Sequence, residues 1–222
     1  MNAPHTYFIV IEGLDGSGKS EITRRLALLS IGQMDGERVL FTYEPHDPSV
    51  AGDYIRAVLR QEFSIAPQTL ALAYALNRAD HNDRMITPFF TEAAPEAPRI
   101  CLCDRYYLSS LVYNTTPDFP IEMVMLINSG ARRPDLTIFL DASAETCYAR
   151  MGHRGGVPEL FESKLEEKRA RYHEAMQFLA DRGEIIAVID ANLPLIHVLN
   201  AAIQIVNENA PPWLRLPLQE TL

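Results

Sequence analysis

The chain has little cysteine, three residues in 222, and a single tryptophan. Cys101, Cys103 and Cys147 are odd in number and form no Cys-x-x-Cys or Cys/His pair, which argues against a disulfide framework and a zinc site. No segment approaches the roughly 18 consecutive apolar residues of a membrane span. The first residues, Met1-Asn2-Ala3-Pro4-His5, lack the basic start and apolar core of a leader. A cytoplasmic protein with no membrane partner is expected. Positive charge is also scarce: 20 Lys and Arg face 29 Asp and Glu, a net charge of −9. Such a balance repels a phosphate backbone, so nucleic acid is not an expected partner. Any phosphate chemistry would need its cations gathered locally. Repeats and low-complexity tracts are absent as well. With 47% hydrophobic and 22% charged residues, the composition is that of a folded chain rather than a disordered one. At this length, one domain over 1–222 with a small lid is expected.

The run Tyr7-Phe8-Ile9-Val10-Ile11 is short, apolar and β-branched, as a strand buried on both faces should be. A glycine-rich turn and a helical pattern from about Lys19 to Leu29 follow it. Further strands are expected at Arg38–Thr42, Ile100–Cys103, Leu136–Leu140 and Ile185–Ile189. Helical patterns cover Ala51–Leu59, Pro67–Phe90, the segment after Ser143 through Met151, about Phe161–Leu179, and the stretch to about Val206. Strands alternating with helices specify an α/β fold with a parallel sheet covered on both faces. Gly152-His153-Arg154-Gly155-Gly156-Val157-Pro158 has the composition of a flexible segment, placing a lid at about 152–160. The tail over 208–222, with Pro211-Pro212-Trp213, is expected to be extended.

Gly13-Leu14-Asp15-Gly16-Ser17-Gly18-Lys19-Ser20 fits the pattern of glycine, four residues, then Gly-Lys-Ser, between a strand and a helix. Its backbone N–H groups converge on phosphate oxygens, and the helix N-terminus adds a favourable dipole. Lys19 would reach the β- and γ-phosphates, and the Ser20 hydroxyl would ligate Mg²⁺. A nucleoside triphosphate site follows. The guanine-reading run Asn-Lys-x-Asp is missing, and the chain is short for a motor with extra domains. Asp104-Arg105-Tyr106-Tyr107 directly follows the third strand, at the sheet edge where open α/β folds bind ligands. Asp104 could hold Mg²⁺ and Arg105 could clamp a phosphate. Tyr74 and Arg78, four apart on one helix face, could meet the same base. His46, His81 and His153 suit satisfied or surface positions, and the Glu162–Arg169 charge run suits a solvated helix face.

Taken in order and spacing, the sequence resembles the thymidylate kinase family over nearly its whole length. The matching pieces are Phe8 to Ser20, Glu44-Pro45, Asn77-Arg78-Ala79, Asp104-Arg105-Tyr106, Ser109-Ser110, Tyr113-Asn114, Arg133-Pro134-Asp135-Leu136, Leu140-Asp141 and Arg171-Tyr172. The resemblance implies a P-loop kinase fold with five parallel strands flanked by helices, a small mobile lid, ATP and dTMP as substrates, Mg²⁺ as bridging ion, and a homodimer. It assigns the thymine carbonyl to Arg78, the face of the base to Tyr74, its border to Ser110 and Asn114, and the sugar to Tyr113. Asp15 would approach the acceptor sugar, and Arg105 would hold its phosphate. Glu44, Pro45 and Ser109 would complete the acceptor side. Some family members carry an arginine at the P-loop position held here by Gly16, whereas others supply basic residues from the lid. This chain resembles the second kind, with Arg150 and Arg154 as the candidates. It departs from a common bacterial pattern at Tyr43, His46 and Asp47, which stand for an arginine and two glycines, and at Glu159-Leu160-Phe161-Glu162 in the lid. A kinase of another nucleotide or deoxynucleoside, or a P-loop regulatory protein without turnover, remain alternatives at this point.

Overall fold

The computed structural model describes residues 5–91, 97–152 and 164–221. Strand β1 (Thr6–Gly13) is buried along its whole length, in keeping with its unbroken apolar run. Helix α1 (Lys19–Ile31) follows, laying Ile22, Leu26 and Ala27 against the sheet. Strand β2 (Val39–Tyr43) leads to α2 (Val50–Leu59) and α3 (Pro67–His81), the latter opened by Pro67 where a missing N–H costs nothing. The expected helix to Phe90 continues in altered form. The Asn82 side chain donates to the Arg78 carbonyl at 2.9 Å, beside the residue's own backbone N–H. The chain then widens to a π turn over Asn82–Ile86 before α4 (Thr87–Thr91). Strand β3 (Arg99–Asp104), α5 (Tyr107–Asn114), α6 (Ile121–Ile127), β4 (Leu136–Asp141), α7 (Ala144–Gly152), α8 (Leu165–Ala180), β5 (Ile186–Asp190) and α9 (Leu195–Asn209) complete the order.

Two elements correct the expectation from sequence. Helices α5 and α6 fall in a stretch whose periodicity did not announce them. The α5 sequence, Tyr-Leu-Ser-Ser-Leu-Val-Tyr-Asn, is weak in helix formers and is held by burial of Tyr107, Leu108, Leu111 and Val112. Most of the expected lid, including Arg154, lies outside the described residues, as does the Glu159–Glu162 run.

Among the described residues, five strands form one parallel sheet in the order β2-β3-β1-β4-β5. Its register decides where the site falls. Ile11 pairs with Asp104, Tyr43 with Asp104, and Gly13 with Leu140. The P-loop, the Asp104-Arg105 turn and the Glu44 turn therefore leave the sheet at one edge, the carboxyl edge, where the order reverses about β1. Cys101 and Cys103 are fully buried in β3 with free thiols, on one strand face as their alternation implies. A smaller cluster of Ile55, Val58, Leu59 and Leu70 joins α2 to α3, and Tyr74 packs on it.

The tail is tied down. Asn207 exchanges two hydrogen bonds with the backbone of Leu216, at 2.9 and 2.8 Å, and Asn200 does the same with Gln219, both at 2.8 Å. Leu214 and Leu216 are buried beside α9 as a result. Each asparagine-to-alanine change removes two bonds worth about 0.5–1.5 kcal/mol apiece, so a loss of about 1–3 kcal/mol is expected in urea unfolding. Amide exchange at Leu216 and Gln219 should accelerate, and unaltered exchange would show that the asparagines do not hold the tail.

Candidate active site

A cleft of about 370 Å³ opens at the carboxyl edge of the sheet. Its lining includes Asp15, Gly16, Gly18, Lys19, Ser20, Glu44, Pro45, Tyr74, Arg78, Asp104, Arg105, Ser109, Ser110, Tyr113 and Asn114. Almost the whole set singled out in the sequence is thus brought together around one cavity. Gly13 and Leu14 lie beneath it as the start of the loop, and Ser17 is buried within the loop.

The P-loop side is electrically tight. Lys19 Nζ donates to the Leu14 carbonyl at 2.7 Å and lies 3.9 Å from Asp15 Oδ1. Burial pushes its pKa down to about 8 and Arg105 adds to that, while Asp15, Asp104 and Glu12 pull the other way. Burial raises the Asp15 carboxyl, but Arg105 and then Lys19 outweigh it and hold it below the usual range. Arg105 pairs with Asp15 through Nη2, and its Nη1 donates to Ser109 Oγ at 3.0 Å and to Tyr172 Oη at 3.2 Å. Burial disfavours the Arg105 charge, yet Asp15 and its other neighbours raise its pKa well above the ordinary value. The cation is fixed in place before any substrate arrives.

Gly16 has φ +85°, and an added Cβ would sit 2.5 Å from the Cys147 carbonyl oxygen on α7. An arginine at this P-loop position has neither the conformation nor the room. The same helix supplies Arg150, whose Nη1 donates to the Ser17 carbonyl at 3.3 Å.

Ser20 Oγ donates to Asp104 Oδ2, and Asp104 Oδ1 is buried with no hydrogen-bond partner. An orphaned carboxylate oxygen beside a serine hydroxyl is a fitting place for a hard cation that takes its other ligands from phosphate and water. Among the described residues no cluster of three or more His, Cys, Asp or Glu could hold a metal by itself.

On the acceptor side Arg78 is almost completely buried. Its Nε donates to Glu44 Oε2 at 2.6 Å, and its Nη1 donates to Ser110 Oγ at 3.0 Å and to Asn128 Oδ1. Glu44 also meets His81 Nδ1 at 3.2 Å, and His81 Nε2 lies 2.7 Å from Thr42 Oγ1. His81 is therefore a satisfied core histidine, and His46 stacks on it with ring centroids 4.2 Å apart. Tyr113 lies under Arg105, 5.7 Å from ring centroid to guanidinium. The charge run on α8 is only partly a solvated face. Glu167 pairs with Lys164 and Arg171 at the surface, but Lys168 lies over the Tyr113 ring at 5.5 Å and Arg169 pairs with Asp141 at the end of β4 at 2.6 Å.

Three participants were not singled out in the sequence. Arg56 lines the cleft from α2, with Nε on Asp47 Oδ2 at 2.5 Å and Nη2 on the Pro45 carbonyl at 3.4 Å. It lines the same cleft as Tyr43, the position where the bacterial pattern has its arginine. Its spacing from Gly52 and Leu59 puts it on one face of α2, the one available signal. Glu12 and Tyr172 fall within the matching pieces but drew no role from sequence; both are fully buried beneath the P-loop, where nothing in their local pattern announced a polar network.

Comparison with known proteins agrees with this geometry. A family model described as thymidylate kinase matches residues 11–203. A probable thymidylate kinase of Pyrococcus horikoshii is 34% identical over 190 residues, covering 83% of this chain and 88% of that one. A thymidylate kinase of Alkalilimnicola ehrlichii is 35% identical over 214 residues, covering 93% and 95%. The crystal structure of thymidylate kinase from Ehrlichia chaffeensis superposes with a TM-score of 0.67 at 21% identity, over 92% of this chain and 99% of that one, and supports the fold. The chain belongs to the thymidylate kinase family of nucleotide phosphotransferases.

Proposed function

We infer that the protein transfers the γ-phosphate of ATP to dTMP, giving dTDP and ADP. One observation carries this: in a chain of net charge −9, Lys19, Arg56, Arg78 and Arg105 line a single cleft. The scarce positive charge is gathered where two phosphorylated substrates would meet. Phosphoryl transfer asks little covalent help of a protein, and mainly alignment and cations on the transferring oxygens.

The P-loop amides and Lys19 hold the donor phosphates. Arg105, immobilised by Asp15, Ser109 and Tyr172, holds the acceptor phosphate, and Arg56 adds a second cation on that side. Arg78 presents N–H donors to a base carbonyl. Cytosine would set an amino donor against them and leave buried groups unpaired. Tyr74 offers a flat face fixed by the α2–α3 cluster, and Ser110 and Asn114 close the rim. Ser20 and Asp104 would hold Mg²⁺, which when bound neutralises charge on the donor phosphates.

The helices also leave an apolar face unpartnered. Leu72 and Leu76 on α3 are 54% and 62% exposed, and Leu126 on the neighbouring α6 is 67% exposed. That patch supports a homodimer as part of the same proposal. A cytoplasmic, single-domain enzyme without nucleic-acid partners belongs to it too, supported by the free cysteines and the negative charge.

A coupled ADP-release assay across dTMP, dUMP, CMP, AMP and GMP tests the acceptor. Mg²⁺-dependent release strongest with dTMP is expected. dUMP, lacking one methyl, should be slower by about 10–200-fold, because a single methyl in a pocket is worth about 1–3 kcal/mol. CMP or AMP as the better acceptor would overturn the assignment of the base to Arg78.

A further inference from the structure

Glu12 has no part in the chemistry above, yet it sits at the end of β1 with none of its side chain reaching solvent. A carboxylate buried this deeply is costly unless its oxygens are occupied. They are. Oε1 accepts from the backbone N–H of Tyr106 at 2.8 Å and of Ser109 at 3.1 Å. Oε2 accepts from the Ser109 hydroxyl at 2.7 Å and the Tyr172 hydroxyl at 3.3 Å.

These partners share one location, the start of α5. Tyr106 is the residue that caps this helix, and it offers no side-chain acceptor. In a capping box, two side chains of the helix's own sequence satisfy the N–H of the cap and the N–H three residues on. Here Glu12 takes both, from a different element. The helix so fastened carries Ser109, Ser110, Tyr113 and Asn114 toward the cleft. Arg105, immediately before it, has φ +69°, a left-handed conformation that a non-glycine residue keeps only when its surroundings enforce it. The enforcing bonds flank it: Arg105 N–H donates to the Ile11 carbonyl at 3.0 Å, and Tyr106 N–H to Glu12. The side chain is governed by the same carboxylate, since Ser109 Oγ and Tyr172 Oη bridge Glu12 to Arg105 Nη1.

We propose that Glu12 is a positioning residue, whose carboxylate fastens the α5 N-terminus and the Arg105 turn to β1 and so sets where the acceptor phosphate and sugar are held. This rests on reading the cleft as the dTMP kinase site, and it names a part of that site's machinery that touches neither substrate.

The test compares Glu12→Gln with Glu12→Asp, with the unaltered enzyme in the same assay as the check on the reaction itself. Glutamine keeps one acceptor toward the two amides and turns its NH₂ toward two hydroxyls that can rotate to accept it. Aspartate keeps the charge and loses the reach. Glu12→Gln is therefore expected to stay within about tenfold of the unaltered kcat/KM for dTMP. Glu12→Asp should fall by about a hundredfold, the cost of displacing a reacting group by about 1 Å. Hydrogen exchange followed by NMR, with no substrate present, should show Tyr106 and Ser109 amides exchanging at least about tenfold faster in Glu12→Asp. This arm reads the hold on α5 even if dTMP is not the acceptor. A Glu12→Asp protein that melts lower but keeps the unaltered kcat and KM would overturn the proposal, as would unaltered exchange at the two amides. Should Glu12→Asp not fold, Tyr172→Phe removes the hydroxyl shared by Glu12 and Arg105. KM for dTMP is then expected to rise about tenfold, the scale of one lost hydrogen bond to a charged group, and an unchanged KM would count against the proposal.

Discussion

Removing Arg150 and Arg154 together is expected to slow phosphoryl transfer by about 10³–10⁵, the size of an arginine's contribution to such a transition state. The P-loop cannot supply that arginine, because Gly16 lies against Cys147 of α7 in a conformation closed to other residues. The helix that blocks the position carries Arg150 instead, and its guanidinium already touches the loop at the Ser17 carbonyl. Arg154 lies outside the described residues, and its inclusion rests on its place four residues further along, inside a glycine-flanked segment. The competing role, two surface arginines that favour a helix C-terminus, is worth only about 0.3–1 kcal/mol. Single-turnover transfer in Arg150→Ala, Arg154→Ala and the double variant separates the two. Arg150→Ala should also weaken ATP binding, as the residue nearer the loop. Losses below about tenfold in all three would remove the lid arginines from the mechanism.

The second large effect concerns the buried Lys19 and the half-buried Arg105. Lys19→Ala and Arg105→Ala are each expected to lower kcat by at least about a hundredfold, the usual cost of deleting one preorganised donor to a developing charge. Both should leave the fold intact, for neither packs in the apolar core. The two should differ in their partner substrate. Lys19→Ala ought to weaken ATP, and Arg105→Ala ought to raise KM for dTMP while ATP binding is kept. Arg105→Ala also removes the closer of the two cations beside Asp15 and the donor to the Tyr172 hydroxyl, so some loss of stability should accompany it. Near-normal turnover and dTMP affinity in Arg105→Ala would reduce the residue to a structural ion pair.

How much of this could be read from the chain alone differs from element to element. The five strands, the P-loop and α1 were legible because each has a local cause: short apolar runs, a glycine-rich turn, and the four- then three-residue spacing of Ile22, Leu26 and Leu29. The gathering of Lys19, Asp104 and Arg105 was legible from topology, since parallel strands with this order deliver their carboxyl ends to one edge. Helix α5 was not, because its start is capped by Glu12 from β1 and its stability comes from packing rather than propensity. Arg56 was missed for a similar reason, since only the fold of α2 over the Pro45–Asp47 turn brings it into the cleft. Of the histidines expected to be satisfied or exposed, His81 is a satisfied core residue, His46 is buried with its Nδ1 unpartnered among the described residues, and His153 lies outside them. The bracing of Glu44 by His81 depends on contacts 34 to 39 residues apart. Long-range polar networks leave little trace in local pattern.

The central claim is that this cleft joins ATP to dTMP, and ³¹P NMR of a mixture of enzyme, Mg²⁺, ATP and dTMP tests it most directly. The expected result is loss of the ATP β-phosphate signal with matched appearance of ADP and dTDP, little inorganic phosphate, and no reaction when dTMP or Mg²⁺ is omitted. ADP accumulating with an equal amount of inorganic phosphate, or no consumption of ATP with dTMP present, would contradict it.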